Sequence, residues 1–90
     1  MKIVWDEIKR RANLDKHRLD FADLDMLFFD EALIFPAKLG RRQAIGELEP
    51  GMIVVIFTML GSEGLSVISM RPANRKEREL YEETKGSQGI

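Results

Sequence analysis

"SVISMRPANRKERELYE", residues 66–82, joins an alternating run to a charged helix through Arg71 and Pro72. How this junction is read decides the fold. Pro72 disfavours helical dihedrals at the residue before it, so Arg71 stays extended and closes a strand over residues 65–71. Asn74 as N-cap and Glu77 three residues on form a capping box. The helix it opens runs through Leu80 and Tyr81 to about Thr84. A strand thus delivers a guanidinium to a helix N-terminus, where unpaired N–H groups and partial positive charge gather. Two roles fit Arg71. It bridges to a carboxylate, Glu77 or an acid of the second helix, and holds the fold together. Or it holds a phosphate, the anion that guanidinium groups and helix N-termini both select. Ser69, two positions earlier, points to the same side of the sheet.

Working outward, "MIVVIFTML" (52–60) is apolar on both faces and reads as a central strand. "GSEG" (61–64) is its hairpin loop to 65–71. "RRQAIGEL" (41–48) is a weaker strand, "EPG" (49–51) a turn, and "ALIFPAK" (32–38) a short strand ended or bulged by Pro36. Toward the N-terminus, "KIVW" (2–5) is a short first strand, and Asp6 caps a helix from Glu7 to about His17. On that helix Ile8 and Ala12 share one side, while Lys9, Arg10, Asn13, Lys16 and His17 gather on another. "DFADLDMLFFD" (20–30) reads as one helix, capped by Asp20, with Phe21, Leu24, Leu27 and Phe28 as its buried stripe. The order is β-α-α-β-β-β-β-α. Short consecutive connections favour an antiparallel sheet. The expected fold is α+β: a small antiparallel sheet with two N-terminal helices and one C-terminal helix. One domain over residues 1–85 is followed by a Gly-rich polar tail, 86–90, expected to fray.

Composition narrows the function. At 90 residues and 44% apolar content the chain holds one modest core. It has no cysteine and a single histidine, so no disulfide framework and no zinc site made of protein ligands is expected, and no metal or cofactor is assigned. The start lacks the pattern of a signal peptide, and the longest apolar run is too short to span a bilayer, so a cytoplasmic protein is expected. Net charge is −1, but the bases cluster at 9–11, 16–18, 40–42 and 71–78, while residues 20–31 carry acids and no base. Such clustering makes either solvated helix faces or a basic patch with an acidic flank. His17 ends its helix on the face that carries Lys9, Asn13 and Lys16. It either packs structurally or serves as an acid–base group. Lys9, Lys16, Arg41 and Arg75 are uninformative one at a time. Trp5, just before the Asp6 cap, fits a hydrophobic staple, and Tyr81 fits packing.

These landmarks, in order, resemble the BrnT family of toxins from bacterial type II toxin–antitoxin modules. "WDEIKRRANLDKHRLDF" is similar to the family's opening W-D-x-x-K-x-x-x-N-x-x-K-H-G-[VI]-x-F, and the likeness continues through "RRQAIG", "VVIFT" and "VISMRPANRKERELY". It covers residues 4 to about 83. Trp5, Asp6, Lys9, Asn13, Lys16 and His17 match the opening motif. Arg41 matches the arginine five before Gly46, and Ser69, Arg71 and Tyr81 match the closing one. Arg18 stands where the family has glycine, and Ser66 where relatives commonly carry arginine.

The resemblance implies a RelE-like fold and a ribonuclease that cleaves RNA without a metal, inhibits translation and growth, and is neutralised by an antitoxin. The implied partner is BrnA-like, with a ribbon-helix-helix domain, so that DNA is met only through the complex. On this reading Arg71 and Arg41 stabilise the phosphorane, and His17 is the acid or base. Lys9, Asn13, Lys16, Ser69 and Arg75 contact RNA. The competing class is an antitoxin-binding module without catalysis, limited to regulating its own operon.

Overall fold

The computed structural model describes residues 1–49 and 51–88. The expected turn at 49–51 includes Pro50, and the expected frayed tail includes 89 and 90. Both stretches therefore lie partly outside the described residues.

The elements run β1 (Lys2–Trp5), α1 (Glu7–His17), a 3-10 turn (Phe21–Asp23), α2 (Met26–Glu31), β2 (Leu33–Pro36), β3 (Arg42–Leu48), β4 (Gly51–Leu60), β5 (Gly64–Pro72) and α3 (Arg75–Gln88). Asp6 caps α1 as expected, accepting from the Ile8 and Lys9 N–H groups. The capping box opens α3: the Asn74 N–H donates to Glu77 Oε1 at 2.9 Å, and the Glu77 N–H to Asn74 Oδ1 at 2.9 Å. α3 continues about a turn past the expected end at Thr84.

The sheet has five strands in the order β1-β5-β4-β3-β2. β2 to β5 pair antiparallel, but β1 pairs parallel with β5, Trp5 opposite Val67. The sheet is therefore mixed, and the expectation of an antiparallel sheet is corrected. Short connections constrain only the strands they join. β1 reaches its partner after two helices and three strands, so no hairpin fixes its direction.

The single helix expected at 20–30 is also revised. Asp20 caps only the 3-10 turn, the chain stays extended at Leu24, and Asp25 starts α2 afresh by accepting from the Phe28 N–H. Phe21, Leu24, Phe28 and Phe29 are buried, while Leu27 faces solvent. This cluster packs on the inner sheet face, against Ala44, Val55, Phe57, Leu65, Val67 and Met70. Gly46 is required there, because a Cβ would come within 2.8 Å of the Phe28 ring. Trp5 does not staple α1; its ring meets Phe21 edge-on at 6.4 Å. The outer face carries Ile45 and Val54 under Ala73 and Tyr81, which places Tyr81 in packing.

Candidate functional site: a basic groove between α1 and β5

β1 ends opposite Val67, and beyond that point β5 has no strand on its outer edge. α1 occupies the space. Asn13 stands in for the missing strand: its Oδ1 accepts the Met70 N–H at 3.0 Å, and its Nδ2 donates to the Leu19 carbonyl at 3.2 Å. Asn13 is only 8% exposed, so this exchange satisfies a backbone donor that burial would otherwise orphan. The expected apolar side of α1 does not anchor the helix, since Ile8 is 80% exposed.

A second local feature aims the side chains of β5. Ile56 lies opposite Ser69 and Phe57 opposite Val67, so Ile68 is an extra residue, a bulge. Leu65 and Val67 face inward before it and Met70 after it. An unbroken strand would have sent Ser69 and Arg71 into the inner core with Val67. The bulge turns both to the outer face and preserves their shared side.

Between α1 and this part of β5 lies a groove of about 490 Å³, lined by Lys9, Ala12, Asn13, Lys16, His17 and residues 68–71. Six of the expected site residues meet here: Lys9, Asn13, Lys16, His17, Ser69 and Arg71. No carboxylate is among the lining residues. In a second cleft the charge is opposite. Asp25, Glu31, Glu47 and Glu49 share a cleft of about 210 Å³ with Leu27 and Tyr81. Burial, with Glu47 and Glu31 nearby, pushes the Tyr81 hydroxyl pKa up.

Arg71 answers the opening question in a way neither role anticipates alone. Its Nη1 donates to Glu77 Oε1 at 2.7 Å and its Nη2 to Oε2 at 2.8 Å. Nη1 also donates to the Pro72 carbonyl at 3.3 Å. The anion at this helix N-terminus is the protein's own Glu77. Its carboxylate pKa is held below the ordinary value, chiefly by hydrogen bonding to Arg71, and the guanidinium pKa is raised in return. Yet the Arg71 side chain remains 39% exposed on the groove wall, against 15% for Glu77. A guanidinium has five N–H donors in a planar fork. Glu77 and Pro72 take three, leaving Nε–H and one Nη2–H without an acceptor among the described residues.

The other expected residues lie elsewhere. Arg75 is highly exposed and pairs with Glu79 at 3.1 Å. Arg41 is not among the residues that line the groove. Arg71 lies opposite Val54 and Val54 opposite Ile45, whereas Arg41 precedes the start of β3. Two strand spacings and four residues separate the two arginines, about 16 Å between backbones. Strand parity does put Arg41 on the same outer face. Ser66, opposite Thr58, lies outside the groove lining. Arg18 ends α1 at φ 60°, the left-handed cap where the resembled motif has glycine. Sequence reasoning missed the service of Asn13 to β5; the capping box and the bridge from Arg71 to Glu77 were both among its readings, and the structure shows one carboxylate making both.

Comparison with known proteins places the chain in a family. Residues 5–77 match the family described as the ribonuclease toxin BrnT of a type II toxin–antitoxin system. The 1.1 Å crystal structure of the Brucella abortus ribonuclease toxin BrnT aligns with a TM-score of 0.78 and 56% identity, covering 83% of this chain and 99% of that one. No curated protein matches.

Proposed function

The chain belongs to the BrnT family of type II ribonuclease toxins, and from that premise we propose that the groove between α1 and β5 is where it cleaves RNA. The observation that carries this reading is the meeting of Lys9, Lys16, His17, Ser69 and Arg71 on one wall system free of carboxylates. Cleavage uses no metal. The ribose 2′-oxygen gives up its proton, attacks the phosphorus and displaces the 5′-oxygen, which takes a proton as it leaves. The products carry a 2′,3′-cyclic phosphate and a 5′-hydroxyl. His17, on the last turn of α1, is the acid–base group, a role worth about 10²–10⁴ in rate. The two unpaired donors of Arg71 hold the phosphorane oxygens, with the Ser69 hydroxyl beside them. Lys9 and Lys16 hold the RNA backbone as point charges. Asn13 is committed to the fold, and Arg41 meets a phosphate further along the strand.

In the cell this activity stops translation in the cytoplasm until a cognate antitoxin of the BrnA-like, ribbon-helix-helix kind covers the groove. DNA is met only within that complex. No helix among the described residues is long and apolar enough to cross a membrane. A second reading draws on the Glu77 contact, which already balances the Arg71 charge. In it the same groove receives an acidic antitoxin segment and catalyses nothing.

Incubating the purified chain with RNA and a chelator, with and without ribosomes, separates the two. Cleavage with cyclic-phosphate ends, lost in Arg71→Ala and at a 2′-O-methylated site, is the expected result. Tight antitoxin binding with no cleavage under either condition establishes the second reading instead.

A further inference from the structure

We infer that Glu77 is a positioning residue: it grips the Nη1/Nη2 end of Arg71 so that the Nε/Nη2 edge is the one presented to a phosphate. This rests on the proposed phosphate role of Arg71 and goes beyond it.

The contacts form one chain. The Asn74 N–H and Arg71 Nη1 both donate to Glu77 Oε1, at 2.9 and 2.7 Å, while Oε2 accepts from Nη2 at 2.8 Å. Glu77 is itself tied through its N–H to Asn74 Oδ1 at 2.9 Å. The guanidinium is therefore fastened to the first turn of α3. Pro72 restricts the backbone at Arg71 from the other side. An arginine side chain otherwise carries many rotamers, and holding one removes an ordering cost from the reaction. The two remaining donors lie along one edge of the plane, the two-toothed shape that phosphate oxygens match. A carboxylate placed here lowers ground-state attraction for RNA by one charge while it fixes the direction of the donors. The two effects oppose each other in binding and in turnover, so they can be measured apart.

Glu77→Gln isolates the inference. Glutamine at this helix position preserves the capping box with its oxygen on the Asn74 N–H, but its NH₂ group then faces Arg71 Nη2, so the guanidinium is left with one hydrogen bond to residue 77 in place of two and is free to turn. The full chain is assayed for RNA cleavage, reading kcat and KM separately, alongside its melting temperature. Glu77→Gln is expected to lower kcat about 10- to 100-fold, as misorientation does. KM falls about twofold, because the negative charge behind Arg71 is removed and no longer offsets the basic wall. Glu77→Asp keeps the charge but withdraws the carboxylate by one methylene, and it lowers kcat without lowering KM. A purely structural Glu77 changes the melting temperature and moves kcat only with the folded fraction, and that result overturns the inference. So do wild-type kcat and KM in both variants. Arg71→Ala is run in parallel: if it cleaves as well as the wild type, the phosphate role of Arg71 has failed, whereas an inactive Arg71→Ala beside an unaffected Glu77→Gln refutes the positioning role alone.

Discussion

Two arginines in this molecule grip carboxylates through paired hydrogen bonds, and they differ in what they have left. Arg10 on α1 spends its Nε/Nη2 edge on Asp20 and turns Nη1 to Glu7, so it keeps no free Nε/Nη2 edge. Nε and Nη2 donate to Asp20 at 2.7 and 2.9 Å, and Nη1 to both oxygens of Glu7 at 3.2 and 2.9 Å. It pins α1 to the cap of the following 3-10 turn. Arg71 spends one edge on Glu77 and keeps the other. An ion pair therefore does not by itself sort a structural arginine from a functional one. The donors that remain, and whether they border a groove, do the sorting.

The sharpest way to break this contrast is to remove each guanidinium. Arg71→Ala is expected to cut RNA cleavage by about 10²–10³ with a small change in melting temperature. Arg10→Ala is expected to lower the melting temperature and leave the kcat of the folded protein unchanged, read by thermal unfolding beside single-turnover cleavage. If the two exchange phenotypes, the sorting by remaining donors is wrong.

Asn13 sharpens the same contrast from inside the groove, where a lining residue is tied to two backbone partners. Asn13→Ala leaves the Met70 N–H buried without its acceptor, at a cost of about 1–3 kcal/mol in chemical denaturation. Salt-dependent RNA affinity should then change less than it does in Lys16→Ala.

Acid should act on both clamps alike. Arg10 holds the Asp20 carboxyl below its ordinary value, and Arg71 does the same for Glu77. Folded carboxylates with depressed pKa values bind fewer protons than their unfolded counterparts. Their stabilisation is thus complete above the unfolded values near 4 and is lost as pH falls through the depressed ones. Stability should be flat from neutral pH to about pH 5 on account of these groups and decline below it. Glu77→Gln should make that decline shallower without abolishing it, since Asp20 remains.

The smallest effect belongs to Arg18. Its φ of 60° suits glycine, so Arg18→Gly should stabilise by about 0.5–1 kcal/mol and leave cleavage untouched.

How much of this was legible in the sequence follows from the range of each interaction. The capping box, the Asp6 cap and the strand limits around Pro72 are set by neighbours in the chain, and they were read correctly. The shared face of Lys9, Asn13, Lys16 and His17 follows from helical periodicity alone, and all four line the groove. The parallel pairing of β1 was not legible, because its partner β5 begins at Gly64. The bulge at Ile68 leaves no mark in a strand whose apolar residues continue on both sides of it. The duty of Asn13 was hidden because its acceptor faces a backbone N–H 57 residues away. Leu27 fitted a helical stripe that the chain breaks at Leu24 and Asp25. Arg41 was grouped with Arg71 by motif, and only strand register shows how far apart they lie.

The most direct test observes the Nε–H resonances of both arginines while a non-cleavable, 2′-O-methylated RNA is titrated in. A shift of the Arg71 Nε–H that saturates with binding, with the Arg10 Nε–H unmoved, is the expected result. A bound RNA that leaves the Arg71 Nε–H where it was, or that moves both signals equally, contradicts the account.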